Sequence, residues 1–189
     1  MPVHSINRRF ADSEGAGAFR PLKTMTLITA LAAGISYDFP MILAPQEIRT
    51  YFVSAVTANR RRLFQVDANA QLMLDVLEHY RRQGKFALHA FVVMPEHVHV
   101  LITPAADVSL EKAVQFIKGG FSFRLKSKRD VWERSYNEVQ VVSREKFEAC
   151  RRYIEENPVK AGLCATAAEY KYSSVCLGHG IDAMPGHFK

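Results

Sequence analysis

Residues 85–103 read KFALHAFVVMPEHVHVLIT, two apolar runs separated by Pro95-Glu96. The first run is apolar on both faces, which predicts a central β-strand. Proline cannot donate to a strand ladder, so Pro95-Glu96 predicts the turn and 97–103 the next strand. Side chains at i and i+2 of a strand share a face. His97 and His99 therefore stand side by side, while Val98, Val100 and Ile102 point the opposite way into a core.

Upstream, 49–58 (RTYFVSAVTA) is β-branched and aromatic and predicts a strand. Asn69 is a candidate cap for a helix with Leu72, Leu74, Val76, Leu77 and Tyr80 as its apolar face, ending at Gly84. Downstream, Ser109 opens a second helix through about Arg124, apolar at Leu110, Val114, Ile117 and Phe121, with Gly119-Gly120 expected to kink it. Residues 138–142 (EVQVV) predict a fourth strand, and Ser143 caps a third helix with Phe147, Cys150 and Ile154 on one side. The order β-α-β-β-α-β-α predicts an α+β class, ferredoxin-like split β-α-β fold: one antiparallel sheet, helices on one face and a C-terminal catalytic helix.

The chain has 189 residues, enough for one compact domain, and is 48% apolar and 23% charged, as ordinary globular proteins are. Residues 1–40 lack sustained periodicity and are expected as a poorly ordered extension, 41–177 as the domain, and 178–189 as a flexible tail. The uncharged stretch 25–37 follows a basic region that is too long and contains acids, so it would make a poor secretory signal, and Met41 would serve as an alternative start. No run approaches the ~20 apolar residues of a membrane span. Three cysteines without CxxC spacing argue against a disulfide framework or a cysteine zinc site, and fit a reducing cytoplasm. A net charge of +6 points weakly to an anionic partner.

Paired neutral imidazoles on an open sheet face suit a divalent metal, although His-x-His also occurs as partly exposed strand histidines. A second segment, RRYIEENPVKAGL at 151–163, adds to it. On a helix, Tyr153 and Asn157 are i and i+4 and share a side, and Pro158 is expected to end the helix there. A phenol is a weak nucleophile at neutral pH, with pKa ~10. A metal held by His97, His99 and Asn157 would polarise a phosphate and let Tyr153 attack it.

The His97-Val98-His99 strand, the WERSY segment at 132–136 and the YIEENPVKAGL helix end resemble the REP-associated tyrosine transposases, single-tyrosine relatives of the small HUH insertion-sequence transposases. The resemblance runs from about Arg49 to Ser174. It implies His97, His99 and Asn157 as metal ligands, Mg²⁺ or Mn²⁺ as the metal, and Tyr153 as the nucleophile. It also implies hairpin-bearing single-stranded DNA as substrate, cleaved to a 5′-phosphotyrosine and a free 3′-OH and then joined to another end, by a monomer or a homodimer. One departure stands out: family members commonly carry histidine after the acidic residue that follows WERSY, and here Val139 follows Glu138.

Candidate DNA contacts are Arg60, Arg61 and Arg62 after the first strand, then Lys118, Arg124, Lys126, Lys128 and Arg129 along a stretch free of acids. Trp132 is a base-stacking or core residue, and Arg151 and Arg152 flank the nucleophile. The competing functions are an inactive or domesticated copy that only binds structured single strands, a hydrolase using activated water, and a protein without catalysis.

Overall fold

A computed structural model describes residues 47–176 and 180–188. The expected extension at 1–40 lies outside them. The elements are β1 (Thr50–Val56), α1 (Asp67–Arg82), β2 (Phe86–Met94), β3 (His97–Pro104), α2 (Leu110–Leu125), β4 (Asn137–Val141) and α3 (Arg144–Lys160). The four strands form one antiparallel sheet in the order β2-β3-β1-β4, the split β-α-β arrangement expected from the sequence.

Each sheet face carries its own apolar layer. Val53, Val98, Val100 and Ile102 join α1 (Met73, Leu77) and α2 (Ile117, Phe121) in one core. On the other face Ala90, Val92 and Leu101 meet Phe147, Cys150 and Ile154 of α3. Ile154 is wholly buried, so its side chain alone contributes about 2 kcal/mol to holding α3 on the sheet. The alternation of β3 divides between these layers as expected, valines toward α1 and α2, histidines toward α3.

Four local expectations change. β2 is an edge strand, not a central one; it is apolar on both faces because helices cover both. Its outer edge is taken by the chain after α3, through Val93 N–H to the Tyr172 carbonyl (2.8 Å) and Ser174 N–H to the Phe91 carbonyl (2.9 Å). Asn69 does not cap α1, which starts at Asp67; its amide donates to the Leu63 carbonyl at 2.8 Å. Gly119-Gly120 leaves α2 unbroken; Gly120 instead admits Tyr80 of α1, whose Cε2 would lie 2.6 Å from an added Cβ. Helix α3 continues through Pro158 to Lys160, since a proline costs a helix one N–H bond and the buried ring packs on the sheet side. Ser109 and Ser143 cap as expected, accepting from the N–H groups of Lys112 and Lys146.

Residues 180–188, expected within a flexible tail, lie along the sheet. Asp182 accepts from Arg81 Nη2 (2.8 Å) and from the Leu88 N–H (2.8 Å), and Phe188 is buried 5.8 Å from Phe147. Below them runs a chain of buried polar groups. A register shift at His89 turns its ring under α3. The Asp182 carbonyl accepts from His89 Nδ1 (3.2 Å), so Nε2 accepts from the Thr103 hydroxyl (2.8 Å), which in turn accepts from Thr50 (2.8 Å). The segment is held by apolar and polar contacts together, which composition alone does not reveal.

Candidate active site

The β1–β3 register places Ser54 opposite His99 and Val56 opposite His97. The two imidazoles are 4.6 Å apart, centroid to centroid. His99 is almost fully buried, and its conjugate acid is pushed down to about 3 by burial and by His97. Burial likewise lowers His97, against the opposing pull of Glu96. Both rings are therefore neutral at pH 7, the form that offers a lone pair. Among the described residues, the buried side-chain N and O atoms lacking a hydrogen-bond partner are His97 Nδ1 and His99 Nδ1. Such orphaned nitrogens cost about 1–3 kcal/mol each unless something else engages the ring. Glu96 Oε1 lies 3.3 Å from His97 Nδ1, without hydrogen-bond geometry, and would pair by charge only with a protonated ring.

Helix α3 delivers Tyr153 to this pair. Its ring meets His99 edge-on at 5.5 Å, and Phe52 of β1 stacks on His99 (5.2 Å) and abuts Tyr153 (5.7 Å). Tyr153 is 45% exposed, so the residue can be reached from solvent. Asn157 follows one turn later, half-buried. No three His, Cys, Asp or Glu side chains among the described residues form a metal cage. The donors that stand together are the two imidazoles, with Glu96 Oε1 beside His97. Two other tyrosines, Tyr170 and Tyr136, are engaged elsewhere. Tyr170 donates to the Val93 carbonyl (2.8 Å), and burial lifts its phenol to about 12; burial and Glu138 do the same to Tyr136.

The basic residues divide. Arg60, Arg62, Arg124, Lys126, Lys128 and Arg129 are exposed. Arg61 is partly committed to structure, donating to the Ala58 and Asp130 carbonyls. Together with Lys128, Arg129 and Arg134 it lines a groove of about 720 Å³. This groove follows β1 directly, at the sheet end where His97 lies, and Arg60 reaches Glu96 at 3.5 Å. Two expected DNA contacts also brace the scaffold. Lys118 donates to the Glu133 (2.8 Å) and Ser135 (3.3 Å) carbonyls, and Trp132 donates to the Lys118 carbonyl (3.0 Å) with its ring against both Phe64 and Phe121. Arg151 is paired with Glu148 (2.7 Å), whereas Arg152 is exposed.

With this geometry in place, comparison with known proteins decides the lineage: the family model described as "Transposase IS200 like" matches residues 48–157. The chain belongs to the IS200-like transposase family. Members of this family are enzymes that act on DNA, and the matched span takes in β1, both histidines, Tyr153 and Asn157. A REP-associated tyrosine transposase of Escherichia coli (strain K12) is 24% identical over 135 residues, covering 68% of this chain and 81% of that protein. A solved REP-associated tyrosine transposase bound to a REP hairpin is 25% identical with a TM-score of 0.60, covering 67% of this chain and 76% of its own. No helix among the described residues is long and apolar enough to cross a membrane.

Phe52 and Arg134 were not singled out from sequence. Phe52 lies two residues from Ser54 on the same face of β1, so strand parity combined with the β1–β3 register would have found it.

Proposed function

We propose that this IS200-like transposase is a single-strand DNA endonuclease and strand transferase, metal-dependent, with Tyr153 as nucleophile and hairpin repeat DNA as substrate. The observation that carries the reading is the 5.5 Å edge contact between Tyr153 and His99, which joins a phenol to a pair of neutral imidazoles. His97, His99 and Asn157 would hold Mg²⁺ or Mn²⁺, and two orphaned imidazole nitrogens fit that role. When bound, the ion supplies charge to a phosphate oxygen as negative charge builds there.

The chain's own residues do the rest. The Tyr153 hydroxyl attacks phosphorus as its proton leaves to solvent. The Tyr153 Oη–P bond forms, the P–O3′ bond breaks, and the departing 3′ oxygen takes a proton, leaving a 5′-phosphotyrosine. Attack by another 3′-OH reverses these bonds and joins new ends, so strand transfer needs no ATP. Phe52 sets the Tyr153 and His99 rings against each other, and the exposed Arg60, Arg62, Lys128 and Arg129 hold phosphates by charge. Both neighbours reported above, a REP-associated tyrosine transposase and one bound to a REP hairpin, support the choice of hairpin DNA.

The test is intact mass of the protein after incubation with hairpin DNA from repeats flanking its own gene and Mn²⁺. An added mass equal to the 3′ cleavage fragment, mapped by digestion to the peptide holding Tyr153, is expected. Cleaved DNA with protein of unchanged mass would make water the nucleophile and overturn the assignment.

A further inference from the structure

Beside Tyr153, on the side away from the histidines, a cleft of about 270 Å³ opens between β4 and α3. It is lined by Phe52, Val139, Lys146, Ala149, Cys150 and Tyr153. Phe52 and Val139 are directly paired across β1 and β4, so their side chains share this face. We infer that this cleft seats one unpaired nucleobase flanking the scissile phosphate of the strand presented to Tyr153, an inference that rests on the function proposed above.

The walls fit such an occupant. Phe52 and Tyr153 present flat rings crossed at 80°, while Ala149 and Val139 leave the space between them open. Tyr153 and Val139 remain 45% and 42% exposed, so this apolar surface stays wet until something covers it. A base has two apolar faces and comes tethered to phosphates. Lys146, the one charged lining residue, and Arg152, exposed beside Tyr153, complement those phosphates. Any strand that brings its phosphate to the Tyr153 hydroxyl also brings the neighbouring base to the cleft.

Valine at 139 matters here. The family resemblance leads one to expect histidine at this position, which would place a polar ring in the cleft; valine keeps it apolar. With few groups to read a base edge, the seat works by stacking and is tolerant of base identity.

The experiment places 2-aminopurine at each of the two nucleotides flanking the scissile phosphate of hairpin DNA. Fluorescence is read on binding to Tyr153→Phe protein, which keeps the ring but does not cleave. Stacking should quench one position and not the other. Ala149→Phe, at an exposed helix position, fills the cleft and should abolish that quenching. It should also slow cleavage of intact DNA roughly 5- to 160-fold, the range of one base–aromatic stack. Val139→Phe, filling it from β4, should do the same. An abasic substrate at the quenched position should be cleaved equally by wild type and Ala149→Phe. Equal quenching at both positions or none, or Ala149→Phe slowing abasic and intact DNA alike, overturns the base seat. A change of oligomeric state in Ala149→Phe with DNA behaviour intact assigns the cleft to a second copy. Quenching without any covalent adduct keeps the seat and sinks the nucleophile; an adduct without quenching does the reverse.

Discussion

Tyr153 and His99 come from elements far apart in sequence, yet their rings meet edge-on at 5.5 Å. The contact exists because Phe147, Cys150 and Ile154 bury the adjoining side of the same helix against Ala90, Val92 and Leu101. An apolar stripe therefore positions a reactive side chain it does not include. Loosening that stripe should lower activity before it unfolds the sheet.

The neighbouring glycines of α2 should respond to alanine with opposite signs. At Gly119 a Cβ meets nothing closer than 3.9 Å, so Gly119→Ala should stabilise by about 0.5–1 kcal/mol through helix propensity. At Gly120 the same atom would lie 2.6 Å from Tyr80 Cε2, and Gly120→Ala should destabilise by about 1–3 kcal/mol. Urea denaturation of both variants checks this. Equal signs would mean that α1 and α2 are not in close contact there.

Burial alone would raise the Asp182 carboxyl, but hydrogen bonds from Arg81 and the Leu88 N–H outweigh it and hold it below the usual carboxylate range. A depressed folded-state pKa gives stability that is present above the unfolded value near ~3.9 and lost as pH falls through the folded one. Asp182→Asn should therefore cost about 1 kcal/mol at pH 7, a modest figure because the side chain is 32% exposed. Melting curves of the two proteins should converge in acid as the pH falls through the depressed folded-state pKa, below which both side chains are neutral. A difference that persists unchanged in acid would place the interaction elsewhere.

Charge on the DNA-facing loops should separate from charge in the scaffold. Lys128→Ala or Arg129→Ala should leave the melting temperature alone, weaken hairpin binding, and each reduce the slope of log K against log salt by about 0.7–0.9. Lys118→Ala should lower stability through the lost anchors to Glu133 and Ser135, and change the salt slope little. Salt titrations by fluorescence anisotropy distinguish the two. A full unit of slope lost in Lys118→Ala would return that residue to the DNA surface.

The strand order and the histidine pair were readable because period-2 alternation in 97–103 has one solution once a face is buried. The caps Ser109 and Ser143 were readable for the same local reason. β2 was misplaced as central because covered faces and paired edges leave the same apolar signature. The scaffold bonds of Lys118 and Trp132 were not legible, because a basic or aromatic side chain has one appearance in sequence, whether or not it also meets a backbone carbonyl fourteen or fifteen residues away. Docking of 180–188 depends on Asp182 finding Arg81 and Leu88 across the sheet, a nonlocal pairing without periodicity to announce it.

The most direct measurement mixes 3′-end-labelled hairpin DNA with wild type, Tyr153→Phe and His97→Ala, with Mn²⁺ or with EDTA, and resolves the products on a denaturing protein gel. Tyr153→Phe keeps the ring contacts to His99 and Phe52, so it should fold normally and bind DNA while losing cleavage by roughly 10⁴-fold or more. The result expected is label migrating with wild-type protein in Mn²⁺ alone, absent with EDTA and in both variants. Label still attached to Tyr153→Phe protein, or attached without a divalent metal, would contradict tyrosine chemistry at this site.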